Sequence, residues 1–119
     1  MAEVRHGRWE DVKTDQLSAT IARTMVWADR LMVARIQLKK GAHVPEHKHE
    51  NEQITLCFAG VMQFKVAGKE IIVRGGEFLV LPSNVPHEAH ILEDTDEFDV
   101  FTPPRQDWIT GDDAYLRRK

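Results

Sequence analysis

The sequence predicts an all-β fold, a barrel or sandwich of short strands. Three observations carry this: apolar residues in the middle of the chain recur with a period of two, breaks containing Gly, Pro or Asn separate the runs, and the runs follow one another at roughly ten-residue intervals. Residues 20–27 are β-branched and apolar enough for a strand, hairpinned through Asp29-Arg30 onto residues 31–38. Within 31–38, Met32, Ala34, Ile36 and Leu38 alternate with Val33, Arg35 and Gln37, the pattern of a half-buried strand. Residues 53–58, 61–66, 70–74, 78–81 and 98–101 read the same way, with breaks at Lys40-Gly41, Ala59-Gly60, Ala67-Gly68-Lys69, Arg74-Gly75-Gly76 and Pro82-Ser83-Asn84-Val85-Pro86. After Pro103-Pro104 the composition shifts to Asp, Trp, Gly and Arg, and a short helix over 112–118 capped by Asp112 is expected. With no repeat or low-complexity linker, residues 1–119 are expected to form a single domain: N-terminal strands over 17–30, a barrel over about 30–103 and a C-terminal tail over 104–119.

Composition narrows the function. The chain has 119 residues, 42% of them apolar, and a single cysteine, Cys57, which is read as a small buried hydrophobe. It cannot form an internal disulfide, and no apolar leader opens the sequence, so a reducing cytoplasm is the expected location. The longest uncharged stretch, Gln53 to Phe64, is 12 residues, too short for a membrane-spanning helix. Sixteen Lys plus Arg against nineteen Asp plus Glu gives a net charge of -3 with no basic stripe, so neither nucleic acid nor membrane is an expected partner. A small polar ligand remains. Six histidines, four of them between His43 and His87, point to what would hold it.

His47 and His49 lie two apart in an extended segment, so both imidazoles share one face and can chelate one cation. Gln53 keeps the same parity and aims its side-chain carbonyl to that side. The turn through Pro82–Pro86 would deliver His87 to a later strand as a third imidazole. Four protein ligands then leave about two positions of an octahedron for water or substrate. His43 has the parity of His47, but Pro45 intervenes; His90 has parity opposite to His87; His6 is expected in solvent. Glu52 and Glu50 are excluded as ligands, Glu52 by its opposite face and Glu50 by parity and spacing.

These residues resemble the motifs of the cupin superfamily. Gly41, His47, His49, Gln53 and Gly60 have the spacing of the first cupin motif, and Gly76, Pro82 and His87 that of the second. Gln53 stands where the usual ligand is glutamate, Asn84 where a turn glycine is usual and Ile91 where asparagine is usual. The resemblance implies a jelly-roll β-barrel of the RmlC-like kind around one divalent transition metal, whether nickel, manganese, iron, zinc or cobalt, bound by His47, His49, Gln53 and His87. An amide in place of a carboxylate leaves such an ion with its full positive charge, which favours Lewis-acid chemistry over iron redox chemistry.

Asp99 and Phe101 share one face of the last strand, alternating with Phe98 and Val100. Asp99 is a candidate proton shuttle in the lumen, Phe101 an apolar wall, and Arg105 a bidentate clamp for a carboxylate. The structural alternative makes Asp99 an internal hydrogen-bond acceptor and Arg105 its salt-bridge mate. A narrower resemblance supports the catalytic reading: His47, His49, Glu52-Gln53 and the run Asp99, Phe101, Pro103, Arg105, Asp107 are similar to the KdgF-type pectin-degradation cupins, which convert unsaturated monouronates toward the linear keto form. The resemblance implies an acidic sugar or keto acid as substrate and isomerisation, tautomerisation or ring opening as the reaction. Thr55 is small where a larger polar residue could contact a sugar. The alternatives are a non-haem iron dioxygenase acting on a small organic acid and a non-catalytic metal- or ligand-binding barrel. Ile54, Leu56 and Phe58 form an apolar row on the opposite face of the Gln53 strand, and a homodimer is expected to cover it.

Overall fold

The computed structural model describes residues 3–117. Its strands are β1 (Thr14–Gln16), β2 (Ile21–Trp27), β3 (Met32–Leu38), β4 (His43–His47), β5 (Glu52–Val66), β6 (Lys69–Arg74), β7 (Phe78–Leu81) and β8 (His87–Thr102), followed by single-turn helices α1 (Gln106–Ile109) and α2 (Ala114–Arg117). Every strand pairing is antiparallel, as expected for an all-β chain linked by short turns. Among the described residues no helix is long and apolar enough to cross a membrane.

The longest ladder joins β5 to β8, and both strands change neighbours along their length. The first half of β5 pairs with β7 and with the second half of β8, which continues into β3, β2 and β1; the second half of β5 pairs with β6 and with the first half of β8, which also carries β4. The two halves face each other: Met62, Phe64 and Ala89 from one line the same cavity as Ile36, Leu38, Gln53 and Phe101 from the other. Buried Met32, Ala34, Ile36 and Leu38 are the inward residues of β3, the alternation the sequence predicts.

Several boundaries differ from expectation. Residues 53–58 and 61–66 are one strand rather than two. Ala59-Gly60 is not a chain reversal but a bulge, at which the pairing with β8 shifts register between Cys57 and Met62. β8 is also far longer than the expected 98–101, because its inward row includes His87, Thr95, Glu97 and Asp99 and so hides its alternation behind polar residues. β4 pairs with β8 despite Pro45, which sits where the register shifts between Val44 and His47 and so need not donate to the ladder. The expected helix cap at Asp112 is displaced. α2 starts at Ala114 beside Asp113, while α1 went unforeseen. Residue 118 of the expected helix lies outside the described residues.

The C-terminal turns are tied to the barrel by a buried ion pair. Arg23 Nη1 lies 2.9 Å from Asp113 Oδ2, both side chains are excluded from solvent, and the Arg23 guanidinium packs 4.8 Å from the Trp108 ring. Arg117 donates to the second Asp113 oxygen at 2.8 Å. Removing one partner of such a pair strands a buried charge, a loss of about 3–5 kcal/mol.

Gly60 is the most closely packed of the glycines among the described residues. Its φ is +108°, and a Cβ there would lie 2.3 Å from Thr95 Oγ1 and 2.4 Å from the Asp94 carbonyl oxygen. Gly60→Ala is expected to destabilise the chain by about 2–4 kcal/mol in urea denaturation, whereas Gly68→Ala, at a positive φ but in open space, should cost about 1 kcal/mol.

Candidate metal centre

β4, the loop that follows it and the start of β8 bring three imidazoles together. His47 ends β4, His49 lies two residues on, and His87 opens β8 directly opposite His47 in the ladder. One nitrogen from each falls within 4.8 Å of the others. The remaining nitrogens are held locally: Nδ1 of His47 donates to the Pro45 carbonyl at 2.8 Å, that of His49 to Asn51 at 3.1 Å, and that of His87 to Val85 at 2.9 Å. Each ring therefore presents a free Nε2 lone pair in a fixed orientation, the arrangement that supports ligating histidines. Burial lowers His47 and His49 to about 4 and lowers His87 as well, so all three are neutral at pH 7.

Gln53 completes the set. Its Nε2 donates to Thr55 Oγ1 at 2.9 Å and to Asp99 Oδ1 at 3.3 Å, which turns its carbonyl oxygen toward His49 Nε2, 3.1 Å away. With the His49 proton on Nδ1, two lone pairs face each other across that gap. A shared cation resolves the repulsion, so the donor set fits a divalent ion with nitrogen and neutral oxygen ligands. Glu50 and Glu52 are exposed.

The structure places Asp99 and Phe101 in the same cavity, with Phe98 and Val100 on the outer face. Asp99 is buried and accepts a 2.7 Å hydrogen bond from Thr55, so Thr55 orients the carboxylate rather than reaching into the lumen. Arg105 is also buried, but its partner is Asp107 and not Asp99. Nε and Nη2 make bonds of 3.0 and 2.7 Å to the two Asp107 oxygens, and Nη2 also donates to the Tyr115 hydroxyl at 2.7 Å. Nη1 has no partner among the described residues. The guanidinium lies 4.5 Å from the Trp108 ring centre and 5.1 Å from that of Phe101, which fixes its plane.

Three lining residues escaped the sequence reading. Tyr115 lies 4.9 Å from the His47 ring, and its hydroxyl accepts from both Arg105 and Trp108. Trp108 packs edge-on to Phe101. Glu97 is buried with one oxygen unpartnered; burial, followed by the adjacent Asp99 charge, pushes its carboxyl well above the usual range. Burial also raises Asp99, against hydrogen bonds that favour its charge. Both carboxyls are thus held above the usual range, Glu97 the more strongly because the hydrogen bonds to Asp99 oppose the rise of Asp99. Parity with Asp99 was the signal for Glu97; Tyr115 and Trp108 had none, because single helical turns have no period to read.

Residues 34–102 match the family model for the Cupin domain. No curated protein matches the sequence. Among solved structures, KdgF from a Halomonas species is 25% identical with a TM-score of 0.77, over 83% of this chain and 94% of that one. An RmlC-like cupin from Shewanella frigidimarina gives a TM-score of 0.82 at 23% identity, over 89% and 96% of the two chains. The polyketide cyclase RemF from Streptomyces resistomycificus gives 0.70 at 21% identity, over 85% and 80%. The last two likenesses are of fold. With them, the expected RmlC-like jelly roll stands.

Glu97 makes stability depend on pH. Its carboxyl titrates higher in the folded chain than in the unfolded one, so the folded state holds an extra proton between those two values and stability falls as pH rises through that window. Glu97→Gln removes the linkage. Its melting temperature should exceed that of the wild type by several degrees at pH 8, with the difference shrinking toward pH 4; a constant difference across pH would refute the assignment.

Proposed function

Since this chain belongs to the cupin family, we propose that it is a metal-dependent enzyme acting on a small acidic sugar or keto acid, most specifically one that opens or tautomerises an unsaturated uronate. The observation that carries the reading is the convergence of the His47, His49 and His87 nitrogens beside the Gln53 carbonyl oxygen, at a cavity that also holds the Asp99 carboxylate and the Arg105 guanidinium. The likeness to KdgF supports the uronate class.

A divalent ion on His47, His49, Gln53 and His87 would supply Lewis-acid polarisation of a substrate oxygen. The residues of the chain do the rest. Arg105 offers Nη1 to the substrate carboxylate while Asp107 and Tyr115 hold the other guanidinium nitrogens. Phe101 and Trp108 exclude water from one wall. Asp99 is positioned by Thr55 to accept the proton of the hemiacetal hydroxyl as the ring carbon–oxygen bond breaks. Returned to the enol carbon, that proton gives the open keto form with no net change in atoms. Glu97, protonated beside it, keeps the lumen from holding two like charges.

The outer face of the same sheet supports a second copy as partner. Ile54 and Leu56 stand across from Val80 and Phe78, and Phe58 and Phe78 are 61% and 68% exposed. A two-fold dimer through this face would cover the row.

The test is turnover of a purified unsaturated monouronate, followed by loss of its ultraviolet absorbance, together with metal content. Asp99→Asn is expected to lower kcat by about 10²–10⁴-fold, and Arg105→Ala to raise KM by about tenfold or more through loss of a charged hydrogen bond. His47→Ala with His49→Ala should remove metal and turnover together. Iron-dependent oxygen consumption would replace this reading with the dioxygenase, and metal bound without turnover of any acid would leave a binding protein. Phe58→Lys with Phe78→Lys should sediment as a monomer where the wild type sediments as a dimer; a monomeric wild type overturns the dimer.

A further inference from the structure

A second cluster of ligating side chains lies on the outside of the barrel, opposite the lumen. Strand β4 pairs with β8 so that His43 stands across from His90. Glu88 lies two residues before His90 and shares its face. The register shift at Pro45 sends His43 outward while His47, at the other end of the same strand, turns inward. This explains why two histidines of equal sequence parity serve opposite faces.

The geometry is convergent. The His43 and His90 rings stack with centres 4.4 Å apart and planes 15° from parallel. Both direct Nε2 at one oxygen of Glu88, His43 at 2.6 Å and His90 at 3.2 Å. Lys65, across from Glu88 in β5, forms no salt bridge among the described residues, so the carboxylate is turned to the imidazole pair instead. In a tetrahedral zinc site, ligand–metal distances of about 2.0–2.2 Å put ligand atoms about 3.3 Å apart. The 3.2 Å from His90 lies close to that value, while the 2.6 Å from His43 is a hydrogen-bond separation that an inserted ion would open. Side-chain exposures of 44% and 38% for the histidines leave room for a water on the fourth position.

We infer that His43, Glu88 and His90 form a second, surface binding site for a borderline divalent ion such as zinc, with the ion replacing the two N–H protons now shared with the carboxylate. The site is separate from the lumen, because Glu88 and His90 face out while the alternating His87 and Ala89 face in. Its ion would staple β4 to β8. Because β4 ends at His47, it would also stiffen the backbone that positions a lumen ligand.

Equilibrium dialysis against zinc with metal quantification tests this. The wild-type chain is expected to hold about two zinc ions and the His43→Ala, His90→Ala chain about one. On a His47→Ala, His49→Ala background, about one should remain and be lost when His43 and His90 are also replaced. If the lumen variant does not fold, Glu88→Gln in the otherwise wild-type chain, checked by circular dichroism, should still lower the stoichiometry by about one. Unchanged zinc binding after loss of His43 and His90 overturns the inference. About one zinc kept by the lumen variant, and a stoichiometry lowered by about one in the surface variant, sustain it, whatever the lumen proves to catalyse.

Discussion

The register between β5 and β8 is the constraint on which everything else rests. In its first half it sets Gln53 across from Phe101, Thr55 across from Asp99 and Cys57 across from Glu97; past the bulge it sets Phe64 across from Ala89 and Val66 across from His87. A slip of one residue would turn every one of these side chains to the outer face. The bulge lets a single pair of strands serve both walls of the barrel. Only a residue without a Cβ can sit there, pressed against Thr95 and the Asp94 backbone.

That register places an unusual amount of polarity inside. Glu97, Asp99, Gln53, Thr55 and His87 are all buried, and each must be satisfied by a neighbour because water is scarce. Asp99 collects the Thr55 and Gln53 donors, and the histidines bond to carbonyls two residues away in the chain, so their ring orientation is set by local backbone rather than by distant packing. One Glu97 oxygen stays unpaired. A hydrophobic lumen would be more stable but would hold nothing in place for chemistry, and the apolar wall of Met62, Phe64, Ile36 and Leu38 makes up the balance.

Much of this was legible in the sequence, for local reasons. His47, His49 and Gln53 could be put on one side because their spacing is even within one extended segment, and Asn84 at a φ of 64° occupies the turn as its tolerance of that conformation allows. What could not be read depended on distant pairing or on loss of period. The length of β8 was hidden because an inward row of His, Thr, Glu and Asp looks like surface. Ala59-Gly60 carries the composition of a turn, and only its two-sided ladder identifies it as a bulge. The alternative that pairs Arg105 with Asp99 does not hold, because Asp107, two residues along, lies within reach once α1 begins. His43 faces outward because Pro45 resets the parity, which no count of alternate residues can show.

Asn51 lies between the two working parts of the cavity and belongs to both. Its carbonyl holds the His49 ring, and its side-chain amide donates to the Pro103 and Pro104 carbonyls, which lead directly into Arg105. The histidine side and the Arg105 side are thus joined through one hydrogen-bonded residue. Thermodynamic reciprocity then applies: to whatever degree an ion on His49 sharpens the grip of Arg105 on an acid, an acid on Arg105 must tighten the hold on the ion by the same factor. If the proposed ion and acid favour one another, such a site would tend to be full or empty rather than half occupied, and the ion would be held best when the acid is present.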